Sequence, residues 1–182
     1  MEWIGGNLGS GATMLYPCSV LKGDYSKSDN LSVVMASKGQ NQDVGAKVIH
    51  LGKYTTSNII SKSISTQWGI STYRGLVKIG KNATGALAGI NCDALILDEK
   101  SISKTIPVIE SENADAIVSH EASAGKVDEN QIFYLMSRGL EEEKAMSLLV
   151  NGFISGVVKQ LPLEYAGELN RLIELEMEGS VG

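Results

Sequence analysis

Leu51-Gly-Lys-Tyr-Thr-Thr56 leads through small polar residues into an apolar, β-branched run, and similar stretches follow three other aliphatic residues. These begin at Leu21, Ile79 and Ile109, so the spacings between successive stretches are 30, 28 and 30 residues. A period of this size is typical of solenoids, and short strands separated by Gly and Ser turns indicate a β-helix, whose stacked coils share one core. An ordinary β-sandwich is the alternative, because the repeat is degenerate.

Six strands are predicted in the first two thirds of the chain, each rich in Val, Ile, Thr and Ser and bounded by turn residues. They run over Leu31 to Met35, Ala46 to Leu51, Ser57 to Ile64, Tyr73 to Ile79, Ala94 to Leu97 and Ala116 to Ser119. Pro107 is expected near a strand end, where its missing N–H is tolerated.

The last third is predicted to be helical. The first helix covers Glu129 to Ser137 and ends at Arg138-Gly139, where the glycine suits a left-handed cap. The second runs from about Glu141 to Gln160, and the third from about Leu163 to Met177. The inward stripe of the second helix comprises Met146, Leu149, Phe153, Val157 and Leu161. We expect the helices to cover the strand edges at one end of the solenoid.

Composition places a domain boundary between Gly125 and Lys126. Residues 1–125 hold 11 basic and 11 acidic residues, whereas residues 126–182 hold 5 basic and 10 acidic ones and so carry the whole net charge of -5. The sequence therefore predicts a β-helical core over 1–125 and a helical domain over 126–182. It offers no broad basic surface to nucleic acid, no apolar run long enough to span a membrane and no signal peptide, so a cytoplasmic protein is predicted.

The two cysteines limit the metal chemistry of the chain. Cys18 and Cys92 lie 74 positions apart without a C-x-x-C partner, which excludes a four-thiolate zinc site. Taken alone, Cys92 is more typical of a small buried residue than of a ligand. His50, which alternates with apolar neighbours, is expected to face solvent or to make a local hydrogen bond.

The repeat gives Cys92 a candidate neighbour. Aligning Asn82 with Asn113, a shift of 31, places Glu121 two residues before the partner of Cys92 and on the same strand face. The two backbones would then lie roughly 8 Å apart, and both side chains could bind one metal. A shift of 30 would put them on opposite faces of the sheet.

Several long strings carry a resemblance to a known family. They include Gly45-Ala-Lys-Val-Ile-His-Leu, Ser61-Lys-Ser-Ile-Ser, Tyr73-Arg-Gly-Leu-Val-Lys-Ile-Gly, Cys92-Asp-Ala-Leu-Ile-Leu-Asp-Glu-Lys-Ser, His120-Glu-Ala, Phe133-Tyr-Leu-Met-Ser-Arg-Gly-Leu and the tail from Leu161 to Glu178-Gly-Ser-Val-Gly. In these strings the chain resembles the SufB/SufD family, the iron-sulfur cluster assembly scaffolds of the SUF system. The resemblance implies a right-handed parallel β-helix followed by a helical domain. Family members are typically more than twice as long as this chain. The chain therefore resembles their C-terminal portion only.

The same resemblance implies a scaffold rather than an enzyme, with ATPase activity belonging to the partner SufC. It implies a transient iron-sulfur cluster, 4Fe-4S rather than 2Fe-2S, at an interface with SufD or a second SufB chain, and a sulfur donor as a further partner. Carried over by position, Cys92 and Glu121 match the family's proposed metal ligands, with His120 beside them as a further cofactor-binding residue. The region that meets SufC matches Phe133, Tyr134, Arg138 and Leu140.

The cysteine count independently favours a scaffold. A stable cluster normally takes four protein thiolates, and this chain offers two. A cluster would therefore be shared with a partner or completed by oxygen or nitrogen ligands, and it would be released readily. Two other functions stay open: an interaction module that binds SufC and another β-helix without metal, and a β-helix enzyme, which the shortage of histidines disfavours. Unpaired strand edges at the N-terminal coil also predict self-association.

Overall fold

A computed structural model describes residues 1–177. In this span ten strands pair in parallel as a β-helix of about four coils, and three helices follow. The elements are β1 (Glu2–Asn7), β2 (Ala12–Leu15), β3 (Cys18–Leu21), β4 (Lys27–Ala36), β5 (Asn41–His50), β6 (Thr56–Ser65), β7 (Ile70–Ile79), β8 (Leu87–Ile96), β9 (Ile102–Ser111), β10 (Ile117–Lys126), α1 (Glu129–Ser137), α2 (Glu142–Val158) and α3 (Leu163–Met177). The predicted β-helix is confirmed, and the β-sandwich alternative is wrong because sandwich strands pair antiparallel.

The strands form two sheets. Sheet A has the order β1-β4-β6-β8-β10, and sheet B has the order β2-β5-β7-β9, with β3 also pairing with β5. Along sheet A, Lys27 lies opposite Thr56, Thr56 opposite Leu87 and Leu87 opposite Ile117, so a coil takes 29 to 31 residues. The predicted period is right, but its register is not, since Leu21 lies opposite His50 rather than Leu51.

The sequence patterns missed β9 and the three N-terminal strands. β9 pairs only with β7 among the described strands, and most of its side chains are exposed. Pro107 lies in the middle of β9, opposite Gly75, so its predicted place near a strand end is wrong. A proline inside a strand is tolerated here because β9 is an edge strand.

The interior between the sheets combines aliphatic side chains with small polar ones. Its fully buried aliphatic residues include Val48, Val77 and Ile79, and its buried polar residues include Ser28, Ser57, Ser61, Ser65 and Ser71. His50 is fully buried among them, with Nδ1 2.8 Å from Thr55 Oγ1 and Nε2 2.9 Å from Ser57 Oγ. Of the two expectations for His50, the local hydrogen bond is confirmed and the solvent-facing position is wrong.

The helix bounds agree closely with the predictions. α1 and α3 have the predicted ends, and α2 is shorter at both ends. Gly139 adopts a φ of 93°, its N–H donates to Met136 O at 2.9 Å, and the N–H of Leu140 donates to Leu135 O at 3.3 Å. This is the double hydrogen-bond pattern of a glycine C-cap, as predicted.

α2 and α3 pack on the outer face of sheet A, which corrects the prediction that the helices cover strand edges. The buried side of α2 consists of Ala145, Val150, Ile154 and Val157, about one residue around the helix from the predicted stripe. Together with Leu169 and Ile173 of α3, it covers Leu31, Val33, Met35 and Ile64. The physical reason is that both faces of β4 and β6 carry apolar residues, so the outer face also needs a cover.

The change from strands to helices falls next to the predicted boundary, because β10 ends at Lys126 and α1 begins at Glu129. Whether 1–125 and 126–182 are separate domains stays a prediction. The last residues of the predicted helical domain and of the resembling tail, 178–182, lie outside the described residues. Among residues 1–177, no helix has both the length and the apolar character needed to cross a membrane.

Candidate functional site

Cys92 lies inside the β-helix, one strand from its C-terminal end. It occupies the middle of β8, and its side chain is 4% exposed. In register with it are Ser61 on β6 and Ala122 on β10. β10 pairs with β8 alone among the described strands, so a single coil separates Cys92 from an open end.

Tyr73 lies across the interior from Cys92, on β7 of sheet B, and is 5% exposed. Its hydroxyl is beside the Cys92 thiol, yet Oη makes no hydrogen bond of regular geometry within the described residues. Burial raises the pKa of Tyr73 far above its ordinary value, and the neighbouring Cys92 raises it further. Tyr73 could not be predicted as a site residue from the sequence, because only the packing of the two sheets against each other brings it to Cys92.

Burial raises the pKa of the Cys92 thiol to about 12, against a lowering effect of the Tyr73 hydroxyl and with a further increase from the charge of Asp93. At neutral pH the sulfur therefore carries its proton. The thiolate, and not the thiol, is the form that binds a metal ion. Metal binding at Cys92 must therefore displace this proton. Burial thus disfavours the Cys92 thiolate as long as no cation is bound to it.

His120 shares the inner face with Cys92. It lies on β10 opposite Ile90, two residues before the partner of Cys92, which puts the two backbones roughly 8 Å apart. Its Nε2 atom is buried without a hydrogen-bond partner in the described part of the chain. This nitrogen is therefore a free donor or acceptor in the last coil.

Glu121 does not share a face with Cys92, which corrects the predicted geometry. Ala122 lies opposite Cys92 and Glu121 opposite Asn91, so the shift is 30 and the Glu121 side chain is exposed on the outer face. The physical reason is the length of the turn that precedes β10. Ile79 lies opposite Ser111, a shift of 32, whereas Leu87 lies opposite Ile117, a shift of 30, so the corner is two residues shorter in the last coil. Asn82 and Asn113 lie inside that corner, so aligning them could not predict the strand register.

The described residues do not make a complete metal site. From Met1 to Met177, no three His, Cys, Asp or Glu side chains come close enough together to hold an ion. Cys18 is exposed on β3, which pairs with β5 toward the opposite end of the β-helix. A metal at Cys92 would therefore need ligands from outside this part of the chain.

α1 carries the residues predicted to meet a partner. Phe133 is 73% and Tyr134 56% exposed, and no residue of α1 is buried. The Arg138 guanidinium lies over the Tyr134 ring, 5.1 Å from its centroid, and donates to its hydroxyl at 3.1 Å. Leu140 is only half-buried, after the helix. We call Phe133, Tyr134 and Arg138 the α1 surface.

The chain is similar to proteins of iron-sulfur cluster assembly. A family model described as SUF system FeS cluster assembly, SufBD core domain, matches residues 1–153. The chain is 55% identical over all 182 residues to the iron-sulfur cluster assembly protein SufB of Bacillus subtilis, of which it spans 39%. It is 54% identical to a SufBD family protein of Staphylococcus epidermidis, spanning 39% of it, and 52% identical to one of Mycobacterium leprae, spanning 21%. The chain thus spans about two fifths or less of these relatives.

Proposed function

The chain belongs to the SufBD core family, and from that premise we propose that it serves as a scaffold in SUF iron-sulfur cluster assembly. In this role it is not an enzyme. The nascent cluster is its cargo, and the ATPase activity of the machinery belongs to the partner SufC. The protein works in the cytoplasm.

The observation that carries the proposal is one thiol beneath an open end of the β-helix. Cys92 offers a single free thiol, and β9 and β10 each have one edge unpaired among the described strands. A second chain that stacks on this end can pair with both edges and bring further ligands toward Cys92. SufD or a second SufB-type chain is the proposed partner.

Cys92 and His120 are the proposed ligands from this chain, because their side chains are on the inner faces of the neighbouring strands β8 and β10. Glu121 lies on the outer face, so we assign it to the rim of the junction rather than to the same metal ion. Four ligand positions then require the second chain, in keeping with a cluster that is released after assembly. A 4Fe-4S cluster and a sulfur donor complete the proposal on the strength of the family resemblance.

The second candidate is an interaction module that binds SufC and another β-helix but no metal. It is favoured by the burial of Cys92 and by the lack of any three-residue ligand group within residues 1–177. The two candidates differ in one measurable property, the retention of iron and sulfide.

Anaerobic reconstitution with ferrous iron and sulfide tests the proposal. The wild-type chain and the Cys18→Ala variant should retain iron and sulfide, and Cys92→Ala should lose most of both. Circular dichroism checks that each variant is folded. Equal retention in Cys92→Ala would contradict the ligand assignment. Association with SufC without iron in any variant would support the interaction module.

A further inference from the structure

The Tyr73 hydroxyl is a buried polar group without a partner. Tyr73 is 5% exposed, and its Oη atom makes no regular hydrogen bond in the part of the chain that the structure describes. Such groups are rare in folded proteins because the hydroxyl gives up water and gains nothing in return. A phenylalanine would fill the same space without this cost, so the hydroxyl needs an explanation.

The lack of a side chain at Gly75 makes room for the Tyr73 ring. The two residues share the inner face of β7, and a Cβ atom added at Gly75 would lie 2.4 Å from Tyr73 Oη and 2.8 Å from its Cε1. No larger residue at position 75 would leave room for the ring where it is. Glycine at this position therefore lets the ring lie along the strand, with its hydroxyl beside Cys92.

The Cys92 sulfur becomes a better acceptor for the Tyr73 hydroxyl when it binds a metal. A thiol is a weak hydrogen-bond acceptor, and Tyr73 Oη makes no regular hydrogen bond to the Cys92 thiol within residues 1–177, although both residues belong to one interior cluster. A sulfur that has exchanged its proton for a metal carries negative charge and accepts a stronger hydrogen bond. Hydrogen bonds to metal-bound sulfur orient and tune the site.

We propose that Tyr73 is a positioning residue whose hydroxyl donates a hydrogen bond to the Cys92 sulfur when that sulfur binds metal. The inference rests on the proposed role of Cys92 as a ligand. It adds a residue on the opposite sheet to the site, with Gly75 as the position that makes room for it. The donor is without a partner in the free chain, within residues 1–177, and gains one in the loaded chain.

Tyr73→Phe tests this in a Cys18→Ser background, where Cys92 is the sole thiol. The probe is methylmercury, which needs one thiolate: the S–Hg bond forms and the thiol proton passes to buffer. Removing the hydroxyl should raise the urea midpoint of the free protein or leave it unchanged. The same change should speed the release of methylmercury to a competing dithiol by up to about tenfold, the value expected for the loss of one ordinary hydrogen bond.

Opposite effects on the free and loaded protein separate this role from simple packing. Tyr54→Phe, which alters an exposed tyrosine, is the matched control and should change neither quantity. Equal release rates in Tyr73→Phe and its parent would overturn the inference, and so would faster release accompanied by a lower midpoint. If the wild-type chain retains no iron and sulfide while Tyr73→Phe still speeds methylmercury release, the proposed function fails and the sulfur contact of Tyr73 stands.

Discussion

His50 is a fully buried imidazole held by hydroxyl groups. Thr55 Oγ1 donates to Gly52 O at 3.2 Å, so the hydroxyl is left to accept from Nδ1, and Nε2 accepts from Ser57. This assignment of hydrogens follows from the network. It gives a neutral ring, since both ring nitrogens are satisfied with one proton.

The free energy of unfolding should depend on pH through His50. Burial lowers the pKa of His50 below 6.5, so as the pH falls the unfolded chain binds the proton first. The contribution of His50 is therefore complete above about pH 6.5 and is lost below it, at up to about 1.4 kcal/mol per pH unit. Urea unfolding between pH 7 and 5 measures this slope.

His50→Gln is the control variant, because it keeps a polar side chain but cannot titrate. Its stability at pH 7 is expected to be lower, but the slope between pH 7 and 5 should be shallower than in the wild type. Identical slopes in the two proteins would show that His50 is not protonated on unfolding in this range.

At the scale of the element, α1 is a helix stabilised at its ends rather than by burial. Asp128 caps its start, with Oδ1 accepting from Asn130 N at 2.9 Å, and Gly139 closes its end. None of its residues is buried. The α1 surface is thus presented on a helix that local interactions hold in place, which suits the proposed docking of SufC.

Phe133→Ser should weaken the binding of SufC without unfolding the chain. A central exposed aromatic residue at an interface typically contributes about 2 kcal/mol or more, so the dissociation constant should rise by roughly thirtyfold. Tyr165→Ser, which removes an exposed aromatic residue from α3, is the matched control. Isothermal titration calorimetry measures both, and an equal loss in the two variants would rule out a specific contact through α1.

The ends of α1 and α3 could be predicted to the residue, whereas the strand registers could not, for a physical reason. The ends of α1 are set by Asp128 and Gly139, which act on neighbouring residues. The register of β10 on β8 depends on the length of a distant corner, and one residue of error moves Glu121 to the other face. β9 could not be predicted, because an edge strand that is exposed on both faces shows no alternation of apolar and polar residues.

At the scale of the whole molecule, the C-terminal end of the β-helix is open, since no strand among residues 1–177 pairs with the outer edges of β9 and β10. The interior of the last coil is lined there by small side chains such as Ala122 and Ala124, both exposed on the inner face of β10. β9 adds the exposed apolar residues Ile106, Val108 and Ile109. Two free strand edges beside an accessible core are the features by which β-sheets recruit further chains.

The purified chain should therefore self-associate through this end, where the proposed partner would stack. A lysine on the inner face of the edge strand places a charge in the contact, so Ala124→Lys should raise the dimer dissociation constant by at least about tenfold. Leu15→Lys puts the same charge on exposed β2 at the opposite end and should change it little. Sedimentation velocity over a concentration series measures both variants. If Leu15→Lys abolishes association and Ala124→Lys does not, the contact lies at the N-terminal coil, as its unpaired strand edges predict, and the C-terminal end needs a different chain to close it.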